Sequence, residues 1–348
     1  MDKSKAKTIN KKHTAIDLFS GCGGLSQGLV QAGFKVLAAI ELDKKAATTY
    51  TLNHPKTKMF NMDIISLPPE EALDKLNISP GELDLLAGCP PCQGFSRLRT
   101  KNKGFASEDT RNDLIFYFLE YIKVMKPKNI MLENVPTLIK DHRFHEFCLS
   151  LDTLGYSYKF DVLDAKDYSV PQRRKRLILL ASISCIPNLA AKSSKFKTVR
   201  DAIGKKEIPE NDNIHSLTDK RSQKVMEIIK NIPKNGGSRT SLPPHLQLEC
   251  HRKSNGFYDV YGRMQWDDPS PTITSGCNNP SKGRFIHPEK DRAISLREAA
   301  LLQGFPISYK FIPEHGKGSI SLMIGNALPP PFIKAHALSI IRQIEGSN

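Results

Sequence analysis

Short apolar runs, each stopped by glycine, proline or an acid, alternate with segments of helical periodicity through the first half of the chain. Thr14-Ala15-Ile16-Asp17-Leu18-Phe19 is the first run, followed by Ser20-Gly21-Cys22-Gly23-Gly24-Leu25 and then helical spacing over 26–32. Lys35-Val36-Leu37-Ala38-Ala39-Ile40 stops at Glu41, and a third candidate strand end carries Asn61-Met62-Asp63-Ile64. Asp84-Leu85-Leu86-Ala87-Gly88 stops at Cys89-Pro90-Pro91-Cys92, where two successive prolines can continue neither a ladder nor a helix. A helical pattern over 113–125 leads into Lys128-Asn129-Ile130-Met131-Leu132, which ends at Glu133-Asn134-Val135-Pro136. A further strand is predicted at Leu177-Ile178-Leu179-Leu180-Ala181. Apolar strands alternating with helices predict an open, doubly wound α/β sheet, whose ligands lie outside the carboxyl ends of the strands.

From about Pro187 to about Pro288 the chain is polar and basic, richer in Pro, Gly and Asn and poorer in apolar runs, which predicts a second, smaller domain. Helical spacing returns over 297–302, before Gly304-Phe305-Pro306. Gly325-Asn326-Ala327-Leu328-Pro329-Pro330-Pro331 then opens a helix over 332–344.

Charge narrows the partner. The 348 residues carry 51 Lys and Arg against 36 Asp and Glu, a net +15, which favours a polyanion. Nucleic acid is expected before membrane, because no long apolar span accompanies the charge. Seven cysteines without repeated spacing argue against a secreted disulfide framework and for a reducing cytosol. No second Cys-x-x-Cys or His-x-His completes Cys89 and Cys92 as zinc ligands, so no metal is expected. The opening residues to His13 are basic and polar without an apolar core, and read as a solvated tail.

Candidate chemistry collects on the predicted strand ends. Glycines at 21, 23 and 24 let a ligand approach the backbone and leave helix N–H groups free, although the spacing is not the Gly-x-Gly-x-x-Gly of a pyrophosphate site. Glu41, twenty residues after Gly21, stands where an acid binds ribose hydroxyls, and Asp63 where one can meet an adenine amino group. Together these describe an adenosine site; singly, each is also a plain turn or cap. Cys92 has three readings: a buried structural thiol, half of a redox pair, or a nucleophile. A redox Cys-x-x-Cys normally opens a helix, whereas Gln93-Gly94-Phe95-Ser96 and a basic stretch follow here. Glu133 ends a strand on the same edge. Arg174 and Arg176 alternate at the entry to a strand and so share one face, where two guanidiniums need an anionic or carbonyl-rich partner. Residues 97–112, with Arg97, Arg99, Lys101 and Lys103, have the length and composition of a mobile basic lid. Arg252, Lys253, Arg263, Lys282 and Arg284 are the exposed candidates for nucleic-acid contact in the second domain, and Trp266 is expected to anchor its core.

These segments, in this order, resemble the DNA (cytosine-5) methyltransferases, most closely those of bacterial type II restriction-modification systems. The resemblance rests on Asp17-Leu18-Phe19-Ser20-Gly21-Cys22-Gly23-Gly24, Pro90-Pro91-Cys92-Gln93-Gly94-Phe95-Ser96, Glu133-Asn134-Val135, Gln172-Arg173-Arg174-Lys175-Arg176, Arg297-Glu298-Ala299-Ala300 with Gln303-Gly304-Phe305-Pro306, and Gly325-Asn326-Ala327. It implies a Rossmann-like, S-adenosylmethionine-dependent methyltransferase sheet with a smaller target-recognition domain. The implied division is a basic tail at 1–12, a catalytic domain at 13–188, a target-recognition domain at 189–316 and a segment at 317–348 that returns to the catalytic domain.

The implied reaction moves a methyl group from S-adenosyl-L-methionine to carbon 5 of a cytosine flipped out of a short specific sequence in double-stranded DNA. Cys92 would add to carbon 6, Glu133 would bind the ring nitrogen and amino group, and Arg174 and Arg176 would hold Glu133 and the base carbonyl. The matched cofactor positions are Phe19, Ser20, Gly21, Gly23, Gly24, Glu41, Leu42, Asp63, Ile64, Pro91, Leu114 and Asn326. Gln93, Ser96 and Arg97, on a lid closing over the DNA, and Arg252, Lys253 and Arg284 are the expected DNA contacts. A monomer in the bacterial cytoplasm, protecting host DNA beside a separate restriction endonuclease, completes the expectation. Two residues depart from or add to the pattern: Cys89 stands where many members carry glycine, and Arg173 adds a cation beside the matched pair. A tRNA-modifying relative would share the core, but Gln93-Gly94-Phe95-Ser96 and the long basic second domain favour DNA. A non-catalytic DNA-binding regulator would not need Cys92, Glu133 and the arginines together.

Overall fold

The computed structural model describes residues 12–91, 113–204, 208–217, 220–249 and 259–346. Five strands, β1 (Thr14–Leu18), β2 (Lys35–Ile40), β3 (Lys58–Phe60), β4 (Leu85–Gly88) and β5 (Asn129–Asn134), run parallel in the spatial order β3-β2-β1-β4-β5. Beyond β5 the sheet continues with two more, β6 (Ser157–Asp164) at the edge and β7 (Lys175–Ser182) between β5 and β6, β7 antiparallel to both. That reversal matters for the chemistry, because an antiparallel strand brings its first residues, not its last, to the edge where the parallel strands end.

Alternation along the strands divides the core by face. Ile16, Leu18, Ile40, Leu86, Ile130 and Leu132 pack on the side covered by α4 (Leu114–Met125) and α5 (His142–Thr153) through Phe118, Phe144 and Phe147. Ala15, Val36, Leu85, Ala87, Met131 and Ile178 pack on the other, covered by α1 (Gly24–Ala32) and α9 (Pro330–Gly346) through Leu25, Leu29, Phe332 and Ile333. The α1–α9 contact is close enough to require glycine at position 28. A Cβ there would lie 2.6 Å from both the Pro330 oxygen and the Ile333 Cβ. Two helices, α2 (Lys44–Asn53) and α3 (Pro69–Leu76), connect the first strands.

The second half builds its own cores. Val199, Ile214, Met264, Ile273, Phe285, Phe305 and Phe311 close around α7 (Leu296–Gln303) and α8 (Lys317–Asn326), and a smaller cluster forms around α6 (Gln223–Asn231). Ser295 and Glu298 start α7 with a reciprocal capping box, which makes this the most firmly begun helix of the region. Trp266 packs partly buried against the larger core, as expected, with its ring edge-on to His287 and 5.3 Å from the Arg200 guanidinium.

Two expectations need correcting. Arg263 is not an exposed DNA contact: it is fully buried, donating to the carbonyls of Ile229, Ile232, His287 and Lys290 and paired with Asp291 at 2.5 Å. The fork of a guanidinium satisfies several loop carbonyls at once, which is why a charge serves as core here. Arg263→Met should therefore destabilise the protein by about 3–5 kcal/mol, seen as an earlier urea midpoint, since it strands buried carbonyls. The segment from residue 317 meets the first half of the chain before it reaches the sheet at Leu328: Cys22 Sγ lies 3.6 Å from Met323 O, and Lys45 Nζ donates to Ser319 Oγ at 3.2 Å. Its first part is α8, whose Ile320, Met323 and Ile324 belong to the second core. Finally, β6 was not expected at all; it is an edge strand, mostly exposed, without the apolar run that marks the others.

Candidate active site

The strand order puts the candidate residues on one edge. Ser20 N donates to Ile40 O at 3.0 Å, Glu41 N to Phe60 O at 3.1 Å and Cys89 N to Leu18 O at 3.3 Å, so the segments leaving β1, β2, β3 and β4 stay zipped together past their strands. Phe19 turns the chain out of β1 with φ 62°, an uncommon conformation for a side chain of that size. The Glu41 carboxylate accepts from Gly21 N and Asp43 N, both at 2.7 Å, tying the end of β2 to the glycine turn. Burial pushes its pKa up. Leu42, 65 % exposed, follows it, and Ile65, 53 % exposed, follows the buried Ile64. Leu42 and Ile65 are each an apolar side chain left exposed beside a strand end. Asp63 Oδ1 accepts from Ile65 N at 3.1 Å as the cap of a short 3₁₀ turn.

The turn itself is braced from the second half of the chain. Gly23 has φ 99° and caps α1, and a Cβ on it would meet the Tyr309 hydroxyl at 2.5 Å. That hydroxyl donates to Cys22 O at 2.5 Å, and His54 Nε2 lies 3.2 Å from it. Gly24 abuts the C-terminal segment, its missing Cβ falling 2.4 Å from Leu328 O, two residues after the exposed Asn326. Beneath the turn, Asp17 is fully buried, accepting from Ser26 N and Oγ at 3.1 and 2.6 Å, and burial pushes it up to about 7. The Ser20 hydroxyl is buried and has no hydrogen-bond partner among the described residues, which leaves a polar group for a ligand to satisfy.

At the other end of the edge stands Glu133, paired in register with Ile178 of β7 and 1 % exposed. Arg176 Nε lies 3.0 Å from Oε1, and the Cys89 sulfur 2.7 Å from Oε2. The Arg176 contact is an ion pair that lacks hydrogen-bond alignment, so among the described residues Oε1 keeps a lone pair for another donor. Burial raises the Glu133 pKa against the opposing pull of Arg176, Cys89 and Arg174. The next residue, Asn134, donates to Pro90 O at 3.0 Å and fixes the proline turn against β5.

Arg174 and Arg176 were expected to hold Glu133 and the base carbonyl between them; Arg176 pairs with Glu133, and Arg174 is committed to backbone. It is buried, and its Nη1 and Nη2 donate to Ile273 O and Gly325 O, both at 3.1 Å, joining the sheet edge to the second core. Its Nε is buried without a partner among the described residues. Burial, then Arg176 beside it, lowers its pKa to about 9, so it stays charged at neutral pH. Gln172 and Gln303 complete the junction. Gln172 donates to Gln303 Oε1 at 2.6 Å and accepts from Ile273 N at 2.8 Å, and Gln303 donates to Ala327 O. Both glutamines lie in the segments that carry the resemblance, and only Gln303, beside Leu301 and Leu302, has the apolar neighbours that hint at burial.

Leu114 begins α4 and is half-buried against the sheet core, and Pro91 is half-buried at the end of the described turn. Arg284 is held by the carbonyls of Gly236, Gly237 and Arg263 and by Asp259, so most of its donors are used inside the fold. It lines a cleft of about 290 Å³ with Gln265 and the exposed Arg173. Cys92, Gln93, Ser96, Arg97, Arg252 and Lys253 lie outside the described residues.

Comparison with known proteins gives one answer. The family model for C-5 cytosine-specific DNA methylase matches residues 13–342. The Type II methylase M.HgiDII of Herpetosiphon aurantiacus is 39% identical over 95% of this chain and 96% of its own. The Type II methyltransferase M1.HphI of Haemophilus parahaemolyticus is 32% identical over 94% of this chain and 87% of its own. Among solved structures, one described as a DNA modification methyltransferase encoded within an E. coli prophage superposes with a TM-score of 0.69, covering 96% of this chain and 99% of that one at 24% identity.

Proposed function

Since the chain belongs to the C-5 cytosine-specific DNA methylases, we propose that it methylates carbon 5 of a cytosine flipped out of a short specific sequence in double-stranded DNA. The observation that carries this reading is Glu133: a carboxyl buried at a strand end, ion-paired to Arg176, with one oxygen still open to a donor and the Pro90-Pro91 turn clamped beside it. The turn leads directly to Cys92.

Carbon 5 of cytosine is a weak nucleophile. Addition of the Cys92 thiolate to carbon 6 moves the ring electrons towards carbon 5, and Glu133 stabilises the adduct by hydrogen bonds to the ring nitrogen and the amino group. Arg176 keeps Glu133 in place, and Arg174, with Nε uncommitted, supports the edge on which the base carbonyl would rest. S-adenosyl-L-methionine supplies the methyl group as an electrophile. Once carbon 5 is methylated, its proton is lost to solvent, the double bond re-forms and Cys92 leaves as thiolate. The chain's residues would hold that cofactor: Glu41 at the ribose hydroxyls, Asp63 with Leu42 and Ile64 at the adenine, and the Gly21 and Gly23 backbone with the open Ser20 hydroxyl for the remainder. Reaching the base inside a duplex requires flipping it, at a cost of a few kcal/mol that the lid and second domain must offset.

We assign 13–188 to catalysis and 189–316 to target recognition, with the C-terminal residues bracing the cofactor turn, and place the protein beside a separate restriction endonuclease as the guardian of its host's DNA. Among the described residues no helix is long and apolar enough to cross a membrane. The test is transfer of labelled methyl to unmethylated phage DNA and to tRNA, with bisulfite mapping of the DNA. Methylation of the duplex at one sequence is expected. Labelling of tRNA alone would reassign the acceptor, and no transfer to either would overturn the proposal.

A further inference from the structure

Cys89 has a place in the site that the family pattern does not give it. It is the first residue after β4, and because Gly88 pairs with Leu132, Cys89 comes level with Glu133 on the neighbouring parallel strand. Residues level on adjacent strands project to the same side of a sheet, so the two side chains meet. The geometry leaves little freedom: Cys89 N is bonded to Leu18 O and the following Pro90 O to Asn134, so the thiol is held with its sulfur 2.7 Å from Oε2. Glycine at this position would leave that carboxyl oxygen facing the turn with no donor from it.

We infer that Cys89 is a positioning residue for Glu133: its thiol donates to Oε2 and holds the carboxylate aimed out of the sheet edge until the cytosine amino group takes that oxygen. The inference rests on the proposed role of Glu133. A thiol suits the task because it is a weak donor, strong enough to orient an ionised partner and cheap to displace when the base arrives. Among the described residues, the groups facing Glu133 are Cys89 from the turn after β4, Arg176 from β7 and Arg174 from the approach to it. Two of them are fixed cations, so Cys89 is the neighbour whose removal changes the hydrogen bonding while leaving the positive charge in place.

Removing the thiol takes a hydrogen bond away from the ionised carboxyl, so the proton is held more tightly and the Glu133 titration moves to higher pH. The experiment is the pH profile of kcat/KM on duplex DNA for wild type, Cys89→Ala and Cys89→Ser, with Glu133→Gln identifying the limb that belongs to Glu133. Cys89→Ala should move that limb upward by about one pH unit, and Cys89→Ser, whose hydroxyl can donate in the same place, should bring it back. A limb that stays put in Cys89→Ala, or that moves equally in Cys89→Ser, would overturn the inference, whatever happens to the rate. Transfer by wild type that Glu133→Gln leaves intact would instead remove the role of Glu133 on which it stands.

Discussion

Glu133→Gln should transfer methyl to duplex DNA about 10² to 10⁴ times more slowly than wild type, with S-adenosylmethionine affinity unchanged. The amide keeps the shape of the carboxyl but can neither share a proton with the ring nor balance Arg176, whose side chain is only 16% exposed. It also brings an NH₂ group into a place where Arg176 and Cys89 already point donors, so one contact must break. The loss should appear in the single-turnover rate, which reports chemistry, more than in the KM for DNA. Cys92→Ser should be more severe and leave no detectable turnover, because a serine hydroxyl at neutral pH is almost never ionised. Glu133→Gln turning over at the wild-type rate would remove the carboxyl from the mechanism, and an active Cys92→Ser would remove the covalent step.

The second large effect is expected at Gly23. Gly23→Ala meets two costs: a left-handed conformation at φ 99°, and a Cβ 2.5 Å from the Tyr309 hydroxyl. Together with the displaced bond from Tyr309 to Cys22 these amount to about 2–3 kcal/mol, or a roughly 30- to 150-fold loss of cofactor affinity if the turn bears the strain. Gly21→Ala is the control. Its φ of 56° carries the conformational cost alone, since none of the described residues lies within 4 Å of the added methyl, and about 1 kcal/mol or a fivefold loss is expected. Calorimetric titration with S-adenosylmethionine separates the two; equal losses would mean that the Tyr309 contact is irrelevant to the turn.

The sequence made β1, β2, β4 and β5 legible because each is an apolar run that stops at a polar, glycine or proline residue: Ser20 and Gly21 after β1, Glu41 after β2, Pro90 after β4. The same punctuation located Glu133, the glycine turn and the arginine pair. Edge strand β6 escaped notice because Ser157–Asp164 faces water along most of its length and carries no run. The roles of the arginines escaped for a different reason. Arg263, Arg174 and Arg284 look alike in a chain, and only the carbonyls that folding brings around them decide which becomes core, which a strut and which stays at the surface of a cleft. Alternation placed Arg174 and Arg176 on one face, yet it could not say that carbonyls 99 and 151 positions away would claim Arg174.

The packing of α9 against α1 also sets a schedule for making the protein. The glycines that bring these helices together leave the ribosome well before the helix that covers them. Roughly 300 residues separate them, about 15–60 s of synthesis at about 5–20 residues per second. Throughout that interval Leu25 and Leu29 have no permanent neighbour on their outer side. A nascent chain therefore carries α1 uncovered until α9 has emerged, and the glycine turn that Leu328 abuts is completed only then.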